Sequence, residues 1–132
     1  MNNSGIRKDI QYWVNISRYD FDTAFSLLKG RRYLYVLFMC QQSVEKMLKG
    51  LIIFKTKKFP PRIHDLVRLA ELAGLEKEQI DFEFLDRLSF YYIESRYPEE
   101  YIKLHKTASK KLAGVCYKKT KEICIWIEHL LK

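Results

Sequence analysis

Residues 38–51 read FMCQQSVEKMLKGL, and this stretch decides how the rest of the chain is interpreted. It lies within a longer segment, from about Arg32 to Thr56, whose apolar residues recur at intervals of three and four. That spacing is typical of one face of an α-helix. The apolar positions are Leu37, Cys40, Val44, Met47, Leu48 and Leu51. We therefore predict a helix over Arg32–Thr56 that is apolar enough to form the centre of a bundle.

The same helix carries a polar stripe made of Gln41, Gln42, Glu45, Lys46 and Lys49. Gln42 and Lys46 are four residues apart, as are Glu45 and Lys49, so each pair shares one side of the helix. Because polar groups in a bundle centre need hydrogen-bond partners, the stripe must meet a partner, a ligand or water.

Two interpretations of the stripe stay open. In the first it lines a nucleotide cleft, where the amides contact the base and the lysines hold phosphates. In the second it forms a buried network in which Glu45 pairs with Lys49, and Lys46 or Lys49 reaches Asp20 or Asp22 of the preceding helix. The two interpretations are compatible with each other.

The composition predicts one all-α domain over residues 1–132. Apolar residues make up 48% of the chain, and five Gly and three Pro are too few for a fold with many turns. No apolar run approaches the roughly 20 residues of a membrane span, and the first residues lack the apolar core of a signal peptide. We expect a soluble cytoplasmic protein with no membrane partner.

Three cysteines, Cys40, Cys116 and Cys124, are expected to be buried thiols in a reducing compartment. The cysteines and the three histidines do not have the grouped spacing of a zinc site, so no metal is expected.

The predicted architecture is an up-and-down bundle of four main helices plus one short helix. The first helix runs over Ile6–Lys29 and ends at Gly30, which acts as its C-terminal cap. Further predicted segments are the short helix Ile63–Gly74, a helix Phe82–Ser95 capped by Asp81, a connection Glu99–Leu104 and a last helix His105–Leu131.

The net charge of +8 is unevenly distributed along the chain. Residues 1–70 hold 13 basic and 5 acidic side chains, residues 71–100 hold 3 and 9, and residues 101–132 hold 8 and 2. Such a pattern arises either from solvated helix faces or from binding, with a phosphate-bearing ligand on the basic surfaces and a basic partner or a second copy of the chain on the acidic one. Between Tyr101 and Lys121 there are seven lysines and no acidic residue. Such lysines more often form a solvated face than an RNA-binding surface, but the absence of acidic residues among them favours RNA binding more than in an ordinary charged helix.

An ordered set of short motifs resembles the HEPN domain, a helical-bundle family of prokaryotes and higher eukaryotes. The resemblance covers almost the whole chain and implies an up-and-down α-bundle, frequent homodimers and no metal cofactor. The matching pieces, in order, are Trp13 with Asp20-Phe21 and Ala24, Tyr33 with Phe38, Gln41-Gln42, Glu45-Lys46 and Leu48-Lys49, His64-Asp65-Leu66 with Leu69, and Tyr92 with Ser95-Arg96-Tyr97-Pro98.

The resemblance implies two kinds of activity. One subset of the family is the stand-alone partner of a minimal nucleotidyltransferase in two-gene toxin–antitoxin-like pairs, and nucleotide binding has been the role proposed for it. Another subset is a metal-independent ribonuclease that brings together an Arg and a His, four to six residues apart, across a dimer. Here Arg96 and His105 are separated by eight residues that include Pro98, which departs from the nuclease pattern.

Four residues outside the stripe are candidate site residues: His64, Arg96, the adjacent Tyr97 and His105. The planar guanidinium of Arg96 suits phosphate, although it could instead pair with Glu94, Glu99 or Asp20. His64 either contacts phosphate or bonds to backbone beside Asp65, which would cap the short helix. His105 is either a general base acting with Arg96 or a solvated side chain.

The leading expectation is therefore a dimeric nucleotide- or RNA-binding module that works with a minimal nucleotidyltransferase. Its predicted ligand-binding residues are Gln42, Glu45, Lys46, Lys49, His64, Arg96 and Tyr97. One alternative is a metal-independent endoribonuclease with Arg96 and His105 as catalytic residues. Another is a purely structural interaction protein.

Overall fold

The computed structural model describes residues 3–132, and all the regular structure in that range is helical. The prediction of an all-α bundle is confirmed. The helices are α1 (Asn3–Lys29), α2 (Tyr33–Thr56), α3 (Leu66–Leu72), α4 (Phe82–Ser89), α5 (Pro98–Thr107) and α6 (Lys110–Leu130), with one 3-10 turn at Ile93–Ser95. None of the helices described over residues 3–132 is both long enough and apolar enough to cross a lipid bilayer.

Helix α2 is the centre of the bundle, as its sequence predicts. It contacts α1, α3, α4 and α6, and its side chains are buried from Leu34 to Ile53 with few interruptions. Helix α1 runs antiparallel to it, because contacts move back along α1 from Asp20 to Trp13 as they move forward along α2 from Lys46 to Gly50. The two helices approach closely at Gly50, where an added Cβ would lie 3.5 Å from Cβ of Trp13.

A junction of small polar side chains joins α1, α2 and α6. The hydroxyl of Ser17 donates to the carbonyl oxygen of Ser43 at 2.7 Å, and the hydroxyl of Ser43 donates back to the carbonyl oxygen of Ser17 at 3.0 Å. The sulfur of Cys124 on α6 lies 3.5 Å from the hydroxyl oxygen of Ser43.

Burial raises the pKa of Cys124 to about 11 and that of Cys40 to about 12, so both thiols are protonated at neutral pH. All three cysteines are buried and free, as expected.

Helix α1 ends at Lys29 and Gly30 follows it directly, as predicted, but the left-handed residue of the corner is not the glycine. Arg31, not Gly30, takes the left-handed backbone conformation, with a φ of 61°. The amide of Arg32 donates to the carbonyl of Leu27 at 2.9 Å, which closes the turn around Arg31. After α3, Gly74 does adopt a left-handed conformation (φ 77°) and ends that helix region as predicted.

The region after α4 contains the largest errors of the sequence-based prediction. The helix predicted over Phe82–Ser95 ends at Ser89, and the segment Glu99–Leu104, predicted as a connection, belongs to α5. Pro98 is the first residue of α5 and does not interrupt a helix, because the first helical position needs no amide donor. The last helix begins at Lys110, since the hydroxyl of Ser109 accepts from the amide of Leu112 at 3.1 Å.

The buried face of α6 is rotated from the one that the sequence spacing predicts for the last helix, which consists of Ala108, Leu112, Val115, Ile123, Trp126, Ile127 and Leu130. The spacing places Val115 on the core face, but its side chain is 46% exposed. The side chains that α6 buries are Ala113, Cys116, Thr120, Cys124 and Ile127.

Gly114 can be replaced without a clash, so its alanine variant is expected to be more stable. Apart from its chain neighbours and the adjacent backbone of α6, no heavy atom lies within 4 Å of a Cβ built at this position. Alanine costs about 1 kcal/mol less than glycine inside a helix, so Gly114→Ala should raise the free energy of unfolding by up to about 1 kcal/mol in urea denaturation. The reverse change at the neighbouring buried position, Ala113→Gly, should lower it. An unchanged or lower stability in Gly114→Ala would contradict the open surroundings of this position.

Asp81 caps α4, and its charge should contribute to stability above about pH 4. Its carboxylate accepts from the amide of Phe84 at 3.1 Å, and this bond, helped by Lys119, holds the pKa of Asp81 below its usual value. A lowered folded-state pKa means that the contribution is complete above the unfolded pKa of about 3.9 and is lost as the pH falls through the folded pKa. Asp81→Ala should cost about 1 kcal/mol at pH 7, as N-cap removals do, and less at pH 3. Denaturation curves that give the same difference at both pH values would contradict this assignment.

Candidate functional site

The polar stripe of α2 forms one connected hydrogen-bond system, which we call the polar network. Its members are Asp20, Gln41, Gln42, Glu45, Lys46, Lys49 and His64. The network lies between α1, α2 and the segment that leads into α3. It confirms the expected i, i+4 contacts within α2 and the expected bridge from Lys46 to Asp20.

Glu45 is the centre of the network, although its side chain is only 2% exposed. One carboxylate oxygen accepts from the Nζ of Lys49 at 3.1 Å. The other accepts from the amide nitrogen of Gln41 at 3.1 Å and from Nδ1 of His64 at 2.9 Å. Gln41 also donates to the backbone carbonyl of His64 at 3.0 Å, so His64 is held by both its ring and its backbone. A buried carboxylate with three such donors has the partners that its charge requires.

A second branch runs from Gln41 to helix α1. The amide of Gln42 donates to the side-chain oxygen of Gln41 at 2.7 Å, and the Nζ of Lys46 donates to Gln42 at 2.6 Å and to Asp20 at 3.2 Å. Burial raises the pKa of Asp20, while the charge of Lys46 opposes that rise. Hydrogen bonds therefore connect a carboxylate on α1 to the imidazole of His64 without a gap.

His64 is the solvent-facing end of the polar network, since its side chain is 42% exposed. Its ring stacks on Tyr92 with 3.9 Å between ring centroids and an angle of 12° between the planes. The hydroxyl of Tyr92 donates to Glu94 at 3.2 Å, and burial together with this carboxylate raises the pKa of Tyr92. Asp65 caps α3 as predicted, by accepting from the amides of Val67 and Arg68. The predicted backbone bond of the His64 ring is replaced by its contact with Glu45.

Accessibility divides the predicted ligand-binding residues of the network into two groups. Glu45 and Lys49 are enclosed, and the ammonium group of Lys49 lies 5.5 Å from the ring centroid of Trp13. Lys46 is 16% exposed, whereas His64 presents a large part of its side chain to solvent. His64 is therefore open to direct contact with another molecule, whereas Glu45 lies behind its ring and Lys49 is linked to it only through Glu45.

Arg96 lies outside the polar network, just before α5. Its Nη1 donates to Glu100 at 3.0 Å, and its Nε donates to the backbone carbonyl of Phe90 at 3.1 Å. Glu100 is thus its partner, in place of the carboxylates Glu94, Glu99 and Asp20 that the sequence suggested. Tyr97 is 77% exposed and contributes no side-chain bond to Arg96 within residues 3–132.

His105 lies in the last turn of α5, where its ring stacks on that of Tyr101 at 6.1 Å between centroids. It follows Pro98 by about two turns of helix, which corresponds to about 10 Å along the axis. Within one chain, Arg96 contacts Glu100 and the carbonyl of Phe90, whereas His105 contacts Tyr101. Their meeting across two chains stays a prediction.

The described part of the chain, residues 3–132, contains no group of three or more His, Cys, Asp and Glu side chains placed to hold a metal ion. The polar network itself offers hydrogen bonding, charge and aromatic stacking. The contribution of Tyr92 to this site does not follow from the sequence prediction. Only its position before Arg96 in the ordered motif set could have drawn attention to it.

Comparison with known proteins agrees with this architecture. Residues 10–130 match the HEPN domain. The crystal structure of TT1696 from Thermus thermophilus superposes with a TM-score of 0.72 at 22% sequence identity, covering 91% of this chain and 96% of that one. ST0689, described as an archaeal HEPN homologue, also gives a TM-score of 0.72, at 21% identity, covering 93% of this chain and 98% of its own. No curated protein matches the sequence.

Proposed function

We propose that this chain, which belongs to the HEPN domain family, is a nucleotide- or RNA-binding protein that contacts its ligand at His64. The observation that carries the proposal is the partly exposed imidazole of His64, fixed by Glu45 on one side and stacked on Tyr92 on the other. Aromatic side chains that stack with bases bind single-stranded nucleic acid without needing a particular sequence. A fixed ring has less freedom to lose on binding than a mobile one.

The charge near His64 supports an anionic ligand. Arg62 lies two residues before it and is exposed, and Lys55, Lys57 and Lys58 precede it at the end of α2. No acidic residue lies between Lys55 and Arg62 in the sequence. A phosphate group would be attracted to such a cluster, most strongly at low salt.

Binding should be measured with two defined probes, a fluorescein-labelled single-stranded RNA and a fluorescent ATP analogue, by fluorescence anisotropy. Loss of one stacked base contact is worth about 1–3 kcal/mol, so His64→Ala should weaken binding about 5- to 150-fold. His129→Ala is the matched control, because His129 is also exposed but lies at the end of α6. If neither probe binds the wild-type chain, or if both histidine variants behave alike, the proposal is wrong.

A homodimer and a minimal nucleotidyltransferase partner complete the proposal, and both rest on membership of the family. Sedimentation equilibrium would measure the dimer. Co-purification with a nucleotidyltransferase encoded by a neighbouring gene would show whether the two proteins form a complex. Complex formation that survives both charge reversal at Lys46 and His64→Ala, together with absent ligand binding, would favour a purely structural interaction protein.

The endoribonuclease alternative has its own test. RNA cleavage in the presence of EDTA by the wild-type chain, lost in Arg96→Ala and in His105→Ala, would establish a metal-independent nuclease. Glu100→Ala is informative beside them, since it releases Arg96 from its ion pair without removing it. No cleavage by any of these proteins would leave binding as the activity to pursue.

A further inference from the structure

A pocket that is separate from the polar network lies between α4, α5 and α6. Its volume is about 350 Å³, near the lower end of the range for small-molecule sites. The floor consists of the buried side chains Phe84, Leu88, Tyr91 and Cys116. The rim is formed by Phe90, Leu104, Leu112 and Val115. None of the polar network residues lines this pocket.

Two cations are the only charged side chains that line the pocket. They are Arg87 on α4 and Lys119 on α6, and no carboxylate is among the lining residues, all of which lie within residues 84–119. The guanidinium of Arg87 makes no ion pair with any of the described residues 3–132. Lys119 lies 3.6 Å from Asp81, outside the pocket, and 5.2 Å from the ring centroid of Phe84.

Positive charge lies beside the pocket floor, since the ammonium group of Lys119 is 5.2 Å from the ring centroid of Phe84. Burial raises the pKa of Cys116, and the charges of Arg87 and Lys119 both oppose that rise. The hydroxyl groups of two other lining residues, Tyr91 and Thr107, already have hydrogen-bond partners. They share a hydrogen bond of 2.8 Å, and Thr107 also donates to the carbonyl of Leu104. The pocket therefore offers apolar walls and two cations, with few groups able to recognise the edge of a base.

We propose that this pocket binds a small amphiphile with an anionic head group, of the size of a medium-chain carboxylate. The apolar chain lies against Leu88, Leu112 and Val115, and the carboxylate lies at the mouth between Arg87 and Lys119. The apolar walls contribute affinity through the water they release, and the two cations select an anion over a neutral molecule of the same length. This ligand is independent of the nucleotide or RNA proposed for His64.

The experiment compares octanoate with octan-1-ol, which has the same chain length but no charge. Titration of ¹⁵N-labelled protein by NMR reports both the affinity and the place of binding. Octanoate should bind more tightly than octanol, and the amide shifts should fall on α4, α5 and α6. An exposed ion pair is worth up to about 1 kcal/mol, so Arg87→Gln should weaken octanoate about two- to fivefold and leave octanol unchanged.

Two further variants make the test decisive. Val115→Trp should abolish binding of both probes, because a large side chain placed at the partly exposed rim fills the pocket without disturbing the core. Arg62→Gln is the charge control, since Arg62 is exposed and lies outside the pocket. Equal affinity for the two probes, an equal effect of both arginine variants, or shifts elsewhere on the protein would overturn the proposal. So would dissociation of a dimer by Val115→Trp, which would identify the pocket as an interface between copies.

Discussion

Glu45→Ala is expected to lower the free energy of unfolding by about 3–5 kcal/mol, because it leaves the buried ammonium of Lys49 without a counter-charge. The change also removes the acceptor for Gln41 and for the ring of His64, so two more donors lose a partner. Chemical denaturation followed by circular dichroism would measure the loss. Without its hydrogen bond to Glu45, the ring of His64 should also become free to leave its position beside Tyr92.

Two controls separate the buried charge from other effects of truncation. Glu71→Ala removes an exposed carboxylate whose ion pair with Arg68 spans 3.9 Å, and it should change stability by less than about 1 kcal/mol. The double variant Glu45→Leu/Lys49→Met should recover much of the loss, since paired removal of a buried ion pair is often close to neutral. A loss below about 1 kcal/mol in Glu45→Ala would mean that water reaches Lys49 and solvates it.

Leu48→Ala is expected to cost about 3–5 kcal/mol through an unfilled cavity at the centre of the bundle. Leu48 has no exposed surface and belongs to α2, which is surrounded by α1, α3, α4 and α6. Such a site cannot collapse easily, because the helices on opposite sides of α2 would all have to move inward. The same measurement on Val115→Ala, at a position that is 46% exposed, should show a change within about 0.5 kcal/mol. A cost for Leu48→Ala similar to that for Val115→Ala would contradict the central position of α2.

Much of the polar network could be predicted from the sequence because most of its contacts are local or follow from one helix pair. Gln42 with Lys46 and Glu45 with Lys49 follow from spacing along α2. The bridge from Lys46 to Asp20 follows once α1 and α2 are antiparallel neighbours. The contact of Glu45 with His64 could not be predicted, because it depends on how the chain returns after the two prolines that follow α2.

One error after α4, the assignment of Glu99–Leu104 to a connection, has a clear physical origin. The sequence Tyr97-Pro98 predicts a break, since a residue before proline disfavours the helical conformation. The break is real at Tyr97, but the proline then starts α5, and the two acidic residues after it suit the positive end of a helix. Interpreting Pro98 as a helix start would have placed Glu100 in the first turn of a helix that follows Arg96, and Glu100 is the partner of Arg96 in the structure.

The central position of α2 has a consequence for how the chain acquires its structure. Helices α1 and α2 are joined by a short corner and can pair early, whereas α6, which covers another side of α2, begins at Lys110. During synthesis an apolar surface of α2 therefore stays uncovered until α6 has left the ribosome, and such surfaces promote aggregation. Loss of α6 by truncation or early termination should therefore yield an incompletely folded product that aggregates, and not a smaller stable domain.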